Sequence, residues 1–227
     1  MIRCMTYNIR LGIQEGLETL AAVIRSHDPD IVALQEVGQN WKMGPPGDTT
    51  SALAEILGFP HHQFIQCIDE TPHAYGHALL SKYPILERED IALPKDVDEP
   101  RVLTRSVIDS PKGSLTLLTT HLSWIEDREM QGEVLADLAT TLHEEGQHVV
   151  IMGDLNEEHR PDWFARLLQI YKDADAERER LTFPSEEPRI RIDYLLTNKG
   201  TWEDVTITEE RKASDHLPLS ALLVLDV

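Results

Sequence analysis

The stretch His148-Val149-Val150-Ile151-Met152-Gly153-Asp154-Leu155-Asn156 limits what this chain can fold into more than any other. A short, continuous apolar run of this kind fits a strand buried on both faces. Such a strand needs neighbours on either side and packed layers above and below it. The run ends in a glycine, an acid, an apolar residue and an amide. Glycine at a strand end permits a sharp turn or a close approach to a ligand. Asp154 and Asn156 then leave a rigid element together. The acid can bind a metal or take a proton from water, and the amide offers a donor and an acceptor. The plainer alternative is an Asx turn that closes the strand, and for this stretch taken alone it is the better one.

The rest of the chain repeats the pattern. Residues 2–9 read as a strand ending at Asn8, and residues 31–36 as a second strand ending at Glu36. Helical spacing of apolar positions covers 17–27, 127–144 and 161–169, with a further helix at 49–57. Strands are expected near 62–68, 75–82, 85–92, 102–109, 114–121, 190–196, 202–208 and 218–225. Pro111-Lys112-Gly113 reads as a hairpin turn. There is no repeat, no low-complexity tract and no linker long enough to divide the chain, so one domain over 1–227 is expected.

Composition bounds the function. A chain of 227 residues buries a substantial core, and no apolar run approaches the roughly 20 residues of a membrane-spanning helix. Met1 leads directly into strand-like sequence with no signal-type segment, so a cytoplasmic location is expected. Cys4 and Cys67 sit in apolar runs and read as buried free thiols. The net charge of −19 repels polyanions unless bound cations reverse the local field. A metal-free, high-affinity nucleic-acid binder is therefore disfavoured, while a metal-dependent nuclease is not excluded. The oligomeric state is not legible.

Five strand ends carry polar groups able to do chemistry: Asn8, Glu36, His121, Asp154 with Asn156, and Asp215 with His216. Asp193 interrupts an apolar strand, where an acid is costly unless paired. Each has an ordinary structural explanation, as a surface acid, a satisfied histidine or a loop pair. All of those explanations holding at once is improbable, because every cluster follows or interrupts a hydrophobic strand.

Taken in order, Thr6-Tyr7-Asn8-Ile9-Arg10, Leu34-Gln35-Glu36-Val37, Thr120-His121-Leu122, Gly153-Asp154-Leu155-Asn156, Arg191-Ile192-Asp193-Tyr194 and Ser214-Asp215-His216-Leu217-Pro218 resemble the endonuclease/exonuclease/phosphatase superfamily, DNase I-like in fold. The resemblance spans nearly the whole chain. It implies an α/β (α+β) four-layer sandwich of two mostly antiparallel sheets flanked by helices. It also implies a metal-dependent phosphoesterase, with phosphodiester hydrolysis as the first expectation and Mg²⁺ or Mn²⁺ as cofactor.

By the same resemblance Glu36 is the principal metal ligand, with Asn8 and Asp215 as further metal-site residues. Asp154 activates the attacking water and Asn156 orients phosphate or nucleophile. His121 donates to a phosphoryl oxygen. His216 stabilises developing charge, and Asp193 pairs with it to keep it protonated.

Four residues are lesser candidates for substrate contact. His77 stands where many relatives carry Asn, and Arg101 precedes a strand where relatives often have Arg. Trp41 and Trp124, in loops beside Glu36 and His121, are stacking candidates with packing as the alternative. Loops between the shared strands are short. Arg189, Arg191 and Lys212 near the site are too few for a basic track, so duplex DNA is not favoured. Abasic-site endonucleases usually have a tryptophan before Arg-Ile-Asp-Tyr, whereas here Arg189-Ile190 precedes Arg191-Ile192-Asp193-Tyr194, which lowers the abasic-site reading without removing it. A small diester, a nucleotide, a lipid headgroup or a short single strand remain open as phosphoester substrates, with DNA cleavage as the leading alternative and a non-catalytic binding module below it.

Overall fold

The computed structural model describes residues 1–208 and 210–225; residue 209 and the last two positions of the expected 1–227 unit lie outside the described residues. The chain begins with β1 (Ile2–Asn8), a single 3-10 turn (Arg10–Gly12), α1 (Gly16–Ser26), β2 (Ile31–Gln39) and α2 (Thr49–Leu57). It continues through β3 (His61–Glu70), β4 (His73–Ser81), β5 (Ile85–Ala92), β6 (Val102–Ser110) and β7 (Gly113–His121). Then come α3 (Arg128–Glu144), β8 (Val149–Asp154), α4 (Asp162–Ile170), a two-residue β9 (Lys172–Asp173), β10 (Asp193–Thr197), β11 (Thr201–Ile207) and β12 (Leu219–Val224).

The strands form two six-stranded sheets, ordered β11-β12-β1-β2-β4-β3 and β5-β6-β7-β8-β10-β9. Period-two alternation sorts the apolar residues into layers. In β8, Val150 and Met152 meet Ile2 and Cys4 of the other sheet, while Val149 and Ile151 pack under α3 and α4 with Leu135 and Phe164. In β1, Met5 and Tyr7 face α1 and α2. The continuous run at the start of β8 is therefore buried on both sides, and the whole is an α/β/β/α sandwich. α2 is fixed locally: Asp48 accepts hydrogen bonds from the N–H groups of Thr50 and Ser51, and Gly58 closes the helix at φ +76°.

One topological fact positions the site. Each sheet contains one parallel pair in its middle, β1–β2 joined by α1 and β7–β8 joined by α3. Parallel strands deliver their carboxyl ends to the same edge, so Asn8, Glu36, His121 and Asp154 all emerge there. β10 and β12 run antiparallel to their neighbours, so their starting ends lie at that edge too: Asp193 pairs with Asp154, and Leu219 with Thr6. Asn8, His121, Asp154 and Asp193 each stand an even number of residues from a side chain of the inter-sheet core, so all four point between the sheets.

Three local expectations are revised. The strand expected over 190–196 begins at Asp193, with Ile190 held only by an isolated bridge to Phe183. Asp193 therefore opens a strand and does not interrupt one. β2 does not end at Glu36 but runs on to Gln39. Cys4 is buried and Cys67 only half-buried, both as free thiols.

Gly153 is required by a neighbouring backbone: a Cβ there would lie 2.2 Å from the Thr120 carbonyl oxygen. Backbone of a central strand cannot yield cheaply. Gly153→Ala is expected to destabilise by about 1–3 kcal/mol through overpacking, read as a lowered midpoint in chemical denaturation. An unchanged midpoint would show that the two strands can part.

Candidate active site

Glu36 reaches the site because β2 is bulged. Pairing with β4 shifts between Leu34 and Val37, and Glu36 sits at φ +52°. Leu34 and Val37 both pack on the helix side. The extra residue leaves Gln35 facing the inter-sheet space, where its Oε1 accepts from Thr6 Oγ1 at 3.2 Å, and turns Glu36 toward Asn8. A regular strand would have aimed Glu36 at the helices.

The buried Asn8 amide joins the two sheets. Its Nδ2 donates to Glu36 Oε1 and to Asp154 Oδ2, each at 3.1 Å, while its Oδ1 accepts from the Arg10 N–H at 3.1 Å. In this arrangement the Asn8 amide nitrogen orients two carboxylates. Asp154 Oδ1 accepts the Asn156 N–H at 3.0 Å, and Asn156 Nδ2 donates to the Leu122 carbonyl at 2.8 Å. Asn156, at φ +51°, thus makes the turn that the plainer sequence reading expected, and it also lines the cavity.

The two histidines are held in opposite states. Arg101 Nη1 donates to His121 Nδ1 at 2.8 Å, so Nδ1 must be the acceptor and Nε2 carries the hydrogen. Nε2 lies 3.5 Å from Asp154 Oδ2. Burial, then the Arg101 charge, push the His121 pKa well below its ordinary value, so it is neutral. His216 Nδ1 donates to Asp193 Oδ2 at 3.0 Å, and its Nε2 lies 3.7 Å from Asp154 Oδ2. Burial alone would lower its pKa, but the carboxylates of Asp193 and Asp154 outweigh burial and lift it to about 10. His216 is therefore an imidazolium between two acids.

Acid is crowded here. Burial, then Asp193, raise the Asp154 carboxyl well above the usual carboxylate range, and burial raises Glu36. Asp215 lines the same cavity, with Arg10 Nε 3.3 Å from its Oδ2. Asp154, Asp193 and His216 bring three candidate ligand atoms within 4.8 Å of one another, two of which already pair, His216 Nδ1 with Asp193 Oδ2 at 3.0 Å. Glu36 and Asp215 place two further carboxylates in the cavity lining beside Asp154. A hard carboxylate oxygen set, of which only Asp215 has an arginine beside it, fits a divalent cation of the Mg²⁺ or Mn²⁺ type.

The cavity is about 530 Å³ and open to solvent. Arg101, Trp41 and Trp124 line it, as do Glu36, His121, Asp154, Asn156, Asp215 and His216. Arg101 is itself braced by Glu99, 2.7 Å from its Nη2. Asp193 is buried directly behind His216.

His77 is not brought to the cavity. It is buried between the sheets with Nδ1 3.7 Å from Cys67 Sγ, its Nε2 lacks a hydrogen-bond partner among the described residues, and burial lowers its pKa to about 3. Of the three basic residues expected nearby, Arg191 is fully buried on Asp173 at 2.6 Å, Arg189 pairs with Glu187, and neither these nor Lys212 lines the cavity. Sequence reasoning missed Leu11, Met43, Tyr75, Glu99 and Phe183. Phe183 lies in an aperiodic charged loop and had no signal. Met43 had only the hint of an apolar residue in a loop, and Leu11, buried in the turn after β1, had none.

Among solved structures, the chain resembles an endonuclease/exonuclease/phosphatase protein from Beutenbergia cavernae at 24% identity and a TM-score of 0.83, covering 99% of this chain and 71% of that one. A mannosyl-6-phosphatase from Bacteroides thetaiotaomicron matches at 16% identity and a TM-score of 0.78, covering 99% and 100%. Sphingomyelinase C from Streptomyces griseocarneus matches at 17% identity and a TM-score of 0.69, covering 97% and 98%. These similarities establish the fold. The sequence profile of the Endonuclease/Exonuclease/phosphatase family matches residues 5–216, a span that runs from β1 through His216 and contains every residue of the polar cluster. The chain belongs to the endonuclease/exonuclease/phosphatase family, whose members are phosphoesterases.

Proposed function

We propose that this protein is a divalent-metal-dependent phosphodiesterase. In this reading water, activated by Asp154, attacks the phosphorus of a small substrate of nucleotide or lipid-headgroup type. The observation that carries the reading is the pair of histidines whose Nε2 atoms face one carboxylate, that of Asp154, at a cavity also lined by Glu36 and Asp215. Asp154, with its pKa raised, is suited to take a proton from water near neutral pH. His121 donates from Nε2 to a phosphoryl oxygen without adding charge. His216 meets the charge that develops in the transition state, which is where fixed cations contribute most. Arg101 lies close enough to the cavity to contact phosphate as well as His121. Glu36 and Asp215 would hold the cation, with Asn8 positioning Glu36; when bound, the cation neutralises phosphoryl charge and stabilises the leaving oxygen.

Duplex DNA fits less well. Arg101 is the one permanently charged cation lining the cavity among the described residues, and the net charge is −19. The test is hydrolysis of bis-p-nitrophenyl phosphate and of plasmid DNA, side by side, with Mg²⁺, Mn²⁺ or EDTA. Metal-dependent cleavage of the small diester with intact plasmid supports the proposal. Nicked plasmid at low enzyme concentration would make it a nuclease, and silence on both substrates would overturn the diester claim.

Two expectations follow from the hydrogen bonds. Arg101→Met frees the His121 ring to rotate or change tautomer, so kcat is expected to fall by about 100-fold from misplacement alone. A change confined to KM would make Arg101 a binding group only. Asp193→Asn removes the foremost carboxylate holding the proton on His216. The His216 pKa then falls, and the alkaline limb of the pH–rate profile should move to lower pH. An unmoved limb would separate His216 from that limb.

A further inference from the structure

The cavity is larger than a phosphoryl group needs, and its walls differ from its floor. At about 530 Å³ it lies in the range of sites that enclose a whole small ligand. The floor is polar, from Glu36 to His216. The walls are aromatic and apolar. On one side Trp124 meets Phe183 edge-on at 5.8 Å between ring centroids, and Phe183 in turn lies 4.8 Å from the His216 ring. A continuous aromatic surface therefore runs from the rim to a histidine of the polar floor. On the other side Trp41 packs on Tyr75 at 5.5 Å, with Leu11 and Met43 completing the wall.

Exposure marks these walls as unfinished. Trp124 is 48% exposed and Met43 57%, and Ile125 beside Trp124 is 63% exposed. Large apolar side chains left in water around a polar cleft commonly mark a binding surface. Charge narrows the occupant. Glu36, Glu99, Asp154 and Asp215 line the cavity against Arg101 as the one permanent cation among the described residues. Arg101 gives the lining one fixed cation to meet a phosphoryl group.

We infer that the substrate carries a single phosphoester joined to a flat apolar group, and that this group is held between the Trp124–Phe183 wall and the Trp41–Met43 wall. The inference rests on the proposed phosphodiesterase reading for which way the ester points, but the recognition itself is a binding property. A flat ring is preferred over an alkyl chain because both walls are built on aromatic pairs. Stacking gains from a planar partner, whereas a chain gains only from area.

The test uses phosphonates, whose C–P bonds are not hydrolysed. Binding of phenylphosphonate, methylphosphonate and hexylphosphonate to the whole protein is measured by calorimetry with Mg²⁺ present. Phenylphosphonate is expected to bind about tenfold or more tighter than methylphosphonate, the scale of one stacked ring. Trp124→Ala should shrink that ratio, and so should Met43→Ala; both positions are exposed enough to change without loss of fold. Trp124→Phe should restore most of it. Equal binding of the phenyl and methyl compounds would overturn the inference, and tighter binding of the hexyl compound would replace the flat group by a chain.

Turnover is scored separately with methyl p-nitrophenyl phosphate. No turnover together with selective phenylphosphonate binding would overturn the enzymatic reading and keep the recognition. Turnover without selectivity would do the reverse.

Discussion

Asp154→Asn is expected to lower kcat/KM by about 10²–10⁴-fold, the range of a positioned general base, while the protein stays folded. The exchange is nearly isosteric. The new side chain keeps an oxygen for the Asn156 N–H, which Asp154 Oδ1 accepts at 3.0 Å. It loses the acceptor for Asn8 Nδ2 and leaves two amide donors face to face, at a cost of about 1–3 kcal/mol. Against that, it removes a buried charge that burial and Asp193 both oppose. The two effects are opposite in sign, so the fold is expected to be retained. Turnover on a small diester and circular dichroism on the same preparation check both halves. Retained turnover would remove Asp154 as the base, and loss of structure would make it a structural residue.

The second large effect concerns Glu36. Glu36→Gln should raise the Mg²⁺ concentration needed for half-maximal turnover by more than about 100-fold, beyond the range of an outer-shell change. The substitution removes the charge that faces the cavity and retains the oxygen that can accept from Asn8 Nδ2 at 3.1 Å. A readout independent of activity is available. Mg²⁺ should raise the melting temperature of the parent protein, since a ligand bound only to the folded state stabilises it, and that rise should be small in the variant. Equal metal dependence in the two proteins would place the cation elsewhere.

Much of the site was legible because strand ends are written locally. The apolar run of β8 and the polar residues after it could be read without knowing what β8 touches. So could the polar ends at Asn8 and His121, and the Asp215-His216 pair that precedes the last strand. The order of those clusters was enough to suggest the family. Asp193 was legible as a problem, an acid where acids are costly, and its partner His216 at 3.0 Å is the solution.

The failures have one cause. His77 carries a residue type suited to chemistry, but its place in β4 turns it into the inter-sheet space behind Arg101. Arg191 was counted as a basic residue near the site and is fully buried on Asp173 and Asp175; Asp173 arrives from a two-residue strand with no sequence signature. Arg101 reaches the cavity lining, where the sequence reading expected it, but its partnership with His121 had no local signature, because it depends on neighbouring β6 and β7 being in register.

The sequence by itself determined which residues carry the chemistry, because residue type and strand periodicity are local properties of the chain. It also determined the layering, since alternation of apolar residues decides which face of each strand is buried. Only the tertiary structure decided the states of those residues. The bulge that turns Glu36 inward comes from pairing with β4. The neutral His121 and charged His216 come from which groups the two sheets press against each ring. Register and burial are long-range properties, and a pKa or a tautomer follows from them, not from the residue's name.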